Sequence, residues 1–414
     1  MKKLLKFAVV LGVVYVGATF AASFYAQRQY DRLMAMVEQE LSGYQVKFTE
    51  QRYERGIFNS KAHMVVVLPV SSLLKEEYRF DVSSDIRSGP WLGGFSFGLV
   101  KIDSVVAPPS GPLSAWIFKL WEGKEIATSR TVIGFLGKRN NQTLVLPFQY
   151  SDGNRTIDFR GGTGSVDYPV TQLSFPFYEV KKKDGSTTLI ENVRVQVSGN
   201  TQSGNFTGTV GAERWVASGL ANESDFEARD LFLDIRGAVT AGLQNIDVKG
   251  RMTQLYGGET VRYEVDSETR NVNYAALGQL QEMIKNPYSL LSGGKEVDAL
   301  WLSVIKPRPT VNFNLTMTQG GKTAFMRGNF KFDAFGDRDF LMNPLLLLLE
   351  RGNAYAEVKI PVSFVNSSAA RPAHNTLNDL LQKGTLVQQG QDYVGQYSFE
   401  SNTFRVNGKK VSLF

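Results

Sequence analysis

The chain has 414 residues, 46 Lys and Arg against 40 Asp and Glu, a net charge of +6, two histidines and no cysteine. The missing thiols exclude a disulfide framework, thiolate metal ligands and a cysteine nucleophile, and they suit an oxidising compartment where an odd thiol is a liability. The charge is not gathered into a long basic block: Lys181-Lys182-Lys183 runs into Asp184-Gly185 and reads as a solvated hairpin tip, so no nucleic-acid partner is expected.

The first informative element is Phe7 to Ala26, twenty consecutive residues without a charge, preceded by Lys2, Lys3 and Lys6. A run of this length can cross a hydrocarbon core of roughly 30 Å as a helix. The lysines favour the cytoplasmic side, which puts the rest of the chain across the membrane. The rival reading is a cleaved signal peptide, whose apolar region is usually about 7–15 residues long. Small residues (Thr19, Ala21, Ala22, Ser23) sit near the end of the run, and cleavage after Ala21 is the tolerable position. Both readings export the rest of the chain. The next segment places Tyr30, Leu33, Met34, Val37 and Leu41 on one helical stripe closed by Gly43, either a stalk off the bilayer or a helix packed on its own domain.

Beyond it the period changes to two. Val65 to Leu68 is a short apolar run, Val193, Val195 and Val197 alternate with polar residues, and Leu231, Leu233 and Ile235 repeat the pattern. Ile246 and Val248 lead to Gly250. Val311, Phe313, Leu315 and Met317 alternate with Asn312, Asn314, Thr316 and Thr318, and Phe330, Phe332, Tyr355, Val358 and Ile360 continue it. Such alternation argues an antiparallel sheet with one apolar face. Hairpin turns are expected at Asp152-Gly153, Asp184-Gly185, Gly257-Gly258, Gly320-Gly321 and Asn407-Gly408. Three helices are expected late in the chain: one capped by Asn273, one from Pro344 through the leucine run to Gly352, and one from Asn375 or Thr376 to Gly384. Ala107 to Pro112 and Asn366 to Pro372 read as loops.

Sequences that resemble catalytic motifs fail on context. Gly94 to Gly98 matches G-x-S-x-G around Ser96, but Leu99 to Ile102 favour a strand where a nucleophile elbow needs a helix. Ser72 to Lys75 matches S-x-x-K without its companion motifs. Gly321-Lys322-Thr323 has Thr316 where a phosphate loop needs glycine. His63 and His374 each lack a neighbouring histidine at ligand spacing, and Asp337 and Asp339 lack a calcium-loop pattern, reading instead as turn or helix-entry residues. No catalytic residue, metal or cofactor is expected.

Tyr53-Glu54-Arg55-Gly56-Ile57-Phe58-Asn59-Ser60 resembles the Y-E-R-G-x-F-x-S signature of the bacterial YdgA and YihF family, with Ile57 where that family usually has tryptophan. Asn407-Gly408-Lys409 resembles its C-terminal N-G-K. The resemblance implies an inner-membrane-anchored or periplasmic Gram-negative protein of uncharacterised function, with no catalytic residues to carry over. Physically, Tyr53, Glu54, Arg55, Gly56, Phe58 and Ser60 read as a structural corner, in which Gly56 supplies a turn or bulge.

These observations predict a mainly β (α+β) protein in three parts. They are 1–26, a basic head with a transmembrane anchor or signal peptide; 27–43, a helical stalk; and 44–414, a periplasmic antiparallel β body. If the body has two lobes, their boundary is expected near 215–225. The expected location is the inner membrane, single-pass. The expected role is a non-enzymatic scaffold or assembly factor, open to self-association. The alternative is a binder or carrier of lipid or another apolar ligand in a curved trough, with Phe313, Leu315 and Met317 as candidate wall.

Overall fold

The computed structural model describes residues 18–32, 34–35, 46–68, 77–93, 96–107, 120–121, 124–167, 169–200, 203–219, 225–256, 258–285, 294–336, 339, 344–365 and 374–411. The basic head, the first part of the predicted span, Ser72 to Lys75, residues 108–112, Asp337 and residues 366–372 lie outside these. Among the described residues no helix is long and apolar enough to cross a membrane. The chain divides into two compact units, Met1–Arg194 and Val195–Phe414, and the division falls within strand β11 (Thr187–Asn200). The predicted boundary near 215–225 instead lies where β12 (Asn205–Ser218) turns into β13 (Phe226–Thr240), a hairpin in register from Ala217 and Phe226 onward.

The first unit begins with a helix, residues 18–32, followed by strands β1 (Lys47–Glu54), β2 (Asn59–Leu68), β3 (Tyr78–Ser88), β4 (Val100–Ala107), β5 (Ala127–Ile133) and β6 (Arg139–Val145). After these come β7 (Phe148–Ser151), β8 (Arg155–Phe159), β9 (Gly162–Asp167) and β10 (Val170–Lys182). The pairings are antiparallel and give the order β1-β2-β3-β4-β5-β6-β9-β10-β8-β7. β10 serves two neighbours in turn. Its first half pairs β9 as far as Ser174 and its second half pairs β8 from Tyr178, with Pro176, which has no N–H to give, at the handover.

The helix packs on one face of this sheet. Thr19, Ala22, Ser23, Ala26, Tyr30 and Met34 are buried at helical spacing, and the core joins Ala26, Tyr30 and Met34 to Ala62, Ile86, Val100, Ile102 and Ile133. The Tyr30 ring lies 5.5 Å from that of Tyr53 on β1, while Arg139 on β6 donates to Gln29 Oε1 at 2.7 Å. Strands β1 and β6 are well separated in the sheet order, so the sheet curls around the helix. The part of the stripe at Tyr30 and Met34 therefore packs on the apolar face of its own sheet, while Leu33, Val37, Leu41 and Gly43 of the predicted stalk lie outside the described residues. The small residues at the end of the predicted span have a second use here: they let the helix approach the strands closely.

The second unit is an antiparallel meander with helical insertions at its ends. Strands β12 and β13 are followed by β14 (Leu243–Tyr256), β15 (Glu259–Asn273), helix α1 (Tyr274–Lys285), helix α2 (Gly294–Ile305), β16 (Thr310–Gln319) and β17 (Lys322–Phe332). Helix α3 (Pro344–Arg351), β18 (Gly352–Pro361), helix α4 (Val362–Val365), helix α5 (His374–Gln382), β19 (Val387–Gln389), β20 (Asp392–Glu400), β21 (Thr403–Val406) and β22 (Lys409–Val411) complete it. Neighbouring strands pair in chain order from β12 to β18, then β18 with β20, β20 with both β19 and β21, and β21 with β22. Asn273 caps α1 as expected, its Oδ1 accepting from the Ala276 N–H at 3.1 Å. Helix α2, which sequence reading overlooked, buries Leu300 and Ile305. The last hairpin closes through Asn407 and Gly408, both at positive φ, the conformation that suits a tight two-residue turn.

Candidate functional site

The sheet of the second unit has one apolar face, and its register can be followed strand by strand. Val210, Leu233, Val265, Leu315, Met326 and Val358 are successive cross-strand partners on β12, β13, β15, β16, β17 and β18, with Gly250 of β14 between Leu233 and Val265. A second row runs through Ile235, Val248, Ser267, Phe313, Gly328 and Ala356. Two residues further along β16, Met317 pairs with Tyr263. The predicted wall of Phe313, Leu315 and Met317 thus lies on one face, because alternate residues of a strand point the same way.

The burial of that face is uneven. Leu315 is 40% exposed, Val210 and Met326 are exposed to a similar degree, and Phe313, Met317, Leu233, Val265 and Val358 are half-buried. Large apolar side chains in a closed core are fully covered. Here such burial is found toward the ends of the strands. At one end Ile305, Phe332, Phe335 and Leu347 form a cluster, with Ala276 and Leu300 in another. At the other end Val261 and Ala324 are buried in the sheet, and Phe364 and Val365 in α4. The leucine run of α3 closes one end of the face and leaves its middle open among the described residues.

Glycine shapes the floor. A Cβ on Gly328 would meet the Phe313 ring at 2.8 Å and the Tyr355 carbonyl oxygen at 2.4 Å, so the ring lies over a position that only glycine can occupy. Two tyrosines share the face. Burial pushes the phenols of Tyr263 and Tyr397 up, and Tyr397 Oη donates to the Thr385 carbonyl at 3.3 Å. The opposite face carries charge pairs: Arg327 with Glu357 at 2.8 Å, Lys249 with Asp266 at 3.5 Å and Arg236 with Asp234 at 3.0 Å. These exposed pairs add little stability, but the two that cross strands, Arg327 with Glu357 and Lys249 with Asp266, disfavour a slip of one residue, which would exchange the faces.

In the first unit, the residues resembling a family signature form the β1–β2 corner. Ser60 is buried, its Oγ accepting from the Gly56 N–H at 3.1 Å and donating to the Gly56 carbonyl at 3.4 Å. A Cβ on Gly56 would lie 2.0 Å from the Asn59 carbonyl oxygen. Burial pushes the Tyr53 phenol up, Phe58 is exposed, and the Arg55 guanidinium sits 4.1 Å above the Phe24 ring. Glu54 ends β1 opposite Lys61.

His63 on β2 has its Nε2 3.7 Å from Asp81. His374 is the first residue of α5, and β4 rather than a helix follows Ser96 and Gly98. Asp339 Oδ2 accepts from the Gly336 N–H at 2.8 Å in a turn before α3. Concavities of about 690 Å³ and about 540 Å³ lie between rows of side chains on the face turned away from the helix. The floor of the larger is a mixture of Asp103, Arg130, Gln142 and hydroxyl groups open to water. Arg130 and Lys101 hold Asp103 below its ordinary range against the opposing effect of burial. The apolar face is the stronger site, since water gains least by staying on it.

Fold and face together define a mainly β protein with a large antiparallel sheet presenting one open apolar surface. The chain belongs to a bacterial protein family of unknown function, DUF945, which matches residues 1–298 and so includes the β1–β2 corner but stops before β16. No curated protein and no solved structure matches it.

Proposed function

We propose that this is a single-pass inner-membrane protein, related to the YdgA and YihF group, that binds apolar chains of the lipid acyl class on the open face of its second unit and has no catalytic activity of its own. The observation that carries the reading is the row from Val210 to Val358, apolar across the strands yet nowhere fully buried. Covering it with methylene groups gains about 0.8 kcal/mol for each one buried. The uncharged run behind Lys2, Lys3 and Lys6 supports the anchor. The buried contacts of Thr19, Ala22 and Ser23 support its retention, since cleavage after Ala21 would separate Thr19 from the sheet.

The test is titration of the full chain in detergent-free nanodiscs with a fluorescent fatty acid. Saturable binding is expected, with at least a tenfold loss in Leu315→Asp while thermal unfolding stays within about 1 kcal/mol of the parent, as suits an exposed position. Absence of saturable binding together with concentration-dependent self-association would transfer the apolar face to the scaffold reading.

A further inference from the structure

A second apolar surface lies at one end of the first unit. In an antiparallel meander alternate connections share an end, so the β1–β2, β3–β4 and β5–β6 connections come together. Each carries large exposed apolar side chains: Ile57 and Phe58 in the first, Trp91 and Phe97 in the second, Phe135 and Leu136 in the third. Phe97 is 63% exposed and Leu136 99%. Trp91 and Phe97 are held together by an antiparallel bridge. Contiguous apolar exposure of this kind marks an interaction surface rather than scattered chance.

The N-terminal helix identifies the medium that covers it. Thr19 abuts the β3–β4 connection so closely that a Cβ on Gly89 would meet its Oγ1 at 2.8 Å. Phe24 lies under the Arg55 guanidinium of the β1–β2 corner, and Phe20 stands edge-on to Phe24 at 5.1 Å, both phenylalanines exposed. These residues are the last two turns of the uncharged run from Phe7 to Ala26. At about 1.5 Å per residue that run needs nearly its whole length to cross a core of roughly 30 Å. Counted back from Ala26, Phe24 then lies about 3 Å and Phe20 about 9 Å inside the boundary between acyl chains and headgroups, and the connections packed against them reach into the same zone. Arg55 and Lys138 belong to the same connections as the exposed apolar residues, a mixture that suits the headgroup level.

We propose that this end of the first unit is seated in the periplasmic headgroup layer of the membrane that carries the N-terminal span, with Phe97, Phe135 and Leu136 against the glycerol-proximal part of the phospholipid acyl chains. The proposal rests on the anchor reading and not on ligand binding by the second unit.

The chain has no cysteine, so single labels can be placed cleanly. Leu136→Cys and Phe97→Cys, each carrying an environment-sensitive fluorophore, would be reconstituted as full chains in vesicles of phosphatidylethanolamine and phosphatidylglycerol. Lys183→Cys is the reference: it follows the 13-residue strand β10, about 40 Å from the rim by strand rise. Labels at 136 and 97 should be quenched by nitroxide-bearing lipid and show several-fold weaker iodide quenching than the label at 183. Equal iodide quenching at 136 and 183 in a chain that has entered the vesicles overturns the seating and leaves the anchor standing. A label at 136 that is shielded from iodide yet untouched by nitroxide lipid is covered by protein, which also overturns it. A chain that does not enter the vesicles removes anchor and seating together, while fatty-acid binding and its loss in Leu315→Asp report on the second unit separately.

Discussion

The two units solve the same problem in opposite ways. Both are antiparallel sheets with an apolar face, and they differ in how far the chain itself covers it. In the first unit the chain supplies the cover itself: the helix of residues 18–32 fills the curl between β1 and β6, and Ile86, Val100 and Ile133 are almost completely buried beneath it. In the second unit the helices sit at the strand ends, and Leu315, Met326 and Val210 remain exposed between them. A sheet face that the chain covers is structural, and one that it shapes, caps at the ends and leaves open is available to a ligand.

The contrast can be broken most forcefully at Ala26. It is fully buried between helix and sheet, and Ala26→Arg would place an unpaired charge there, at an expected cost of about 3–5 kcal/mol. Early loss of the first unit in limited proteolysis would register it, and a tolerant variant would mean that the helix is not part of the core. Leu347→Ala removes a fully buried side chain from the capped end of the second unit and should cost about 2–5 kcal/mol. Denaturant unfolding should report that loss, with fatty-acid binding at the middle of the face retained once the protein is folded. The smallest effect belongs to Asp103 on the outer side of the first sheet. Its folded pKa is lowered, so its contribution is present above the ordinary value of 3.8 and is lost as pH falls through the folded value. Asp103→Asn should therefore be slightly less stable than the parent at pH 7, by about 1 kcal/mol or less. The gap should close in acid, as thermal melts across pH would show.

The second unit was the more legible in sequence, for the reason that separates it from the first. Its strands are long and put Val, Leu, Phe and Met at every second position, so β13 and β16 could be read directly. The strands of the first unit carry polar side chains on both faces. Asn141 bonds Ser129 and Thr131 at 2.8 Å, and Ser84 meets Ser104 at 2.8 Å on the side where the helix packs. A strand such as Arg139–Val145, RNNQTLV, has no apolar alternation to detect, although its partners β5 and β9 are near in the chain. Helix α2 does carry a helical stripe in Val297, Leu300 and Val304, but the Ser292-Gly293-Gly294 run before it reads as readily as a turn as a helix start. That Phe313, Leu315 and Met317 share one face follows from the period of the strand alone. Whether that face was covered depended on where the late helices dock, which is a tertiary property. The exposed rim of the first unit was hidden for a related reason: its three connections are separated by about thirty to forty-five residues in sequence and become neighbours only through the meander.

The stripe of small residues on the N-terminal helix bears on how the protein can be handled. A truncation beginning just after the uncharged run, at Gln27, would look natural for a water-soluble fragment. It would also remove Thr19, Ala22, Ser23 and Ala26 and strip the apolar floor around Ile86 and Val100 of its lid. Such a fragment would gain a sticky groove that the intact protein does not have, and its aggregation or adventitious lipid uptake would report the missing helix rather than any property of the whole molecule. A fragment beginning at Ala18 keeps the lid, and its exposed Phe20 and Phe24 join the apolar rim of Ile57, Phe58, Trp91, Phe97, Phe135 and Leu136.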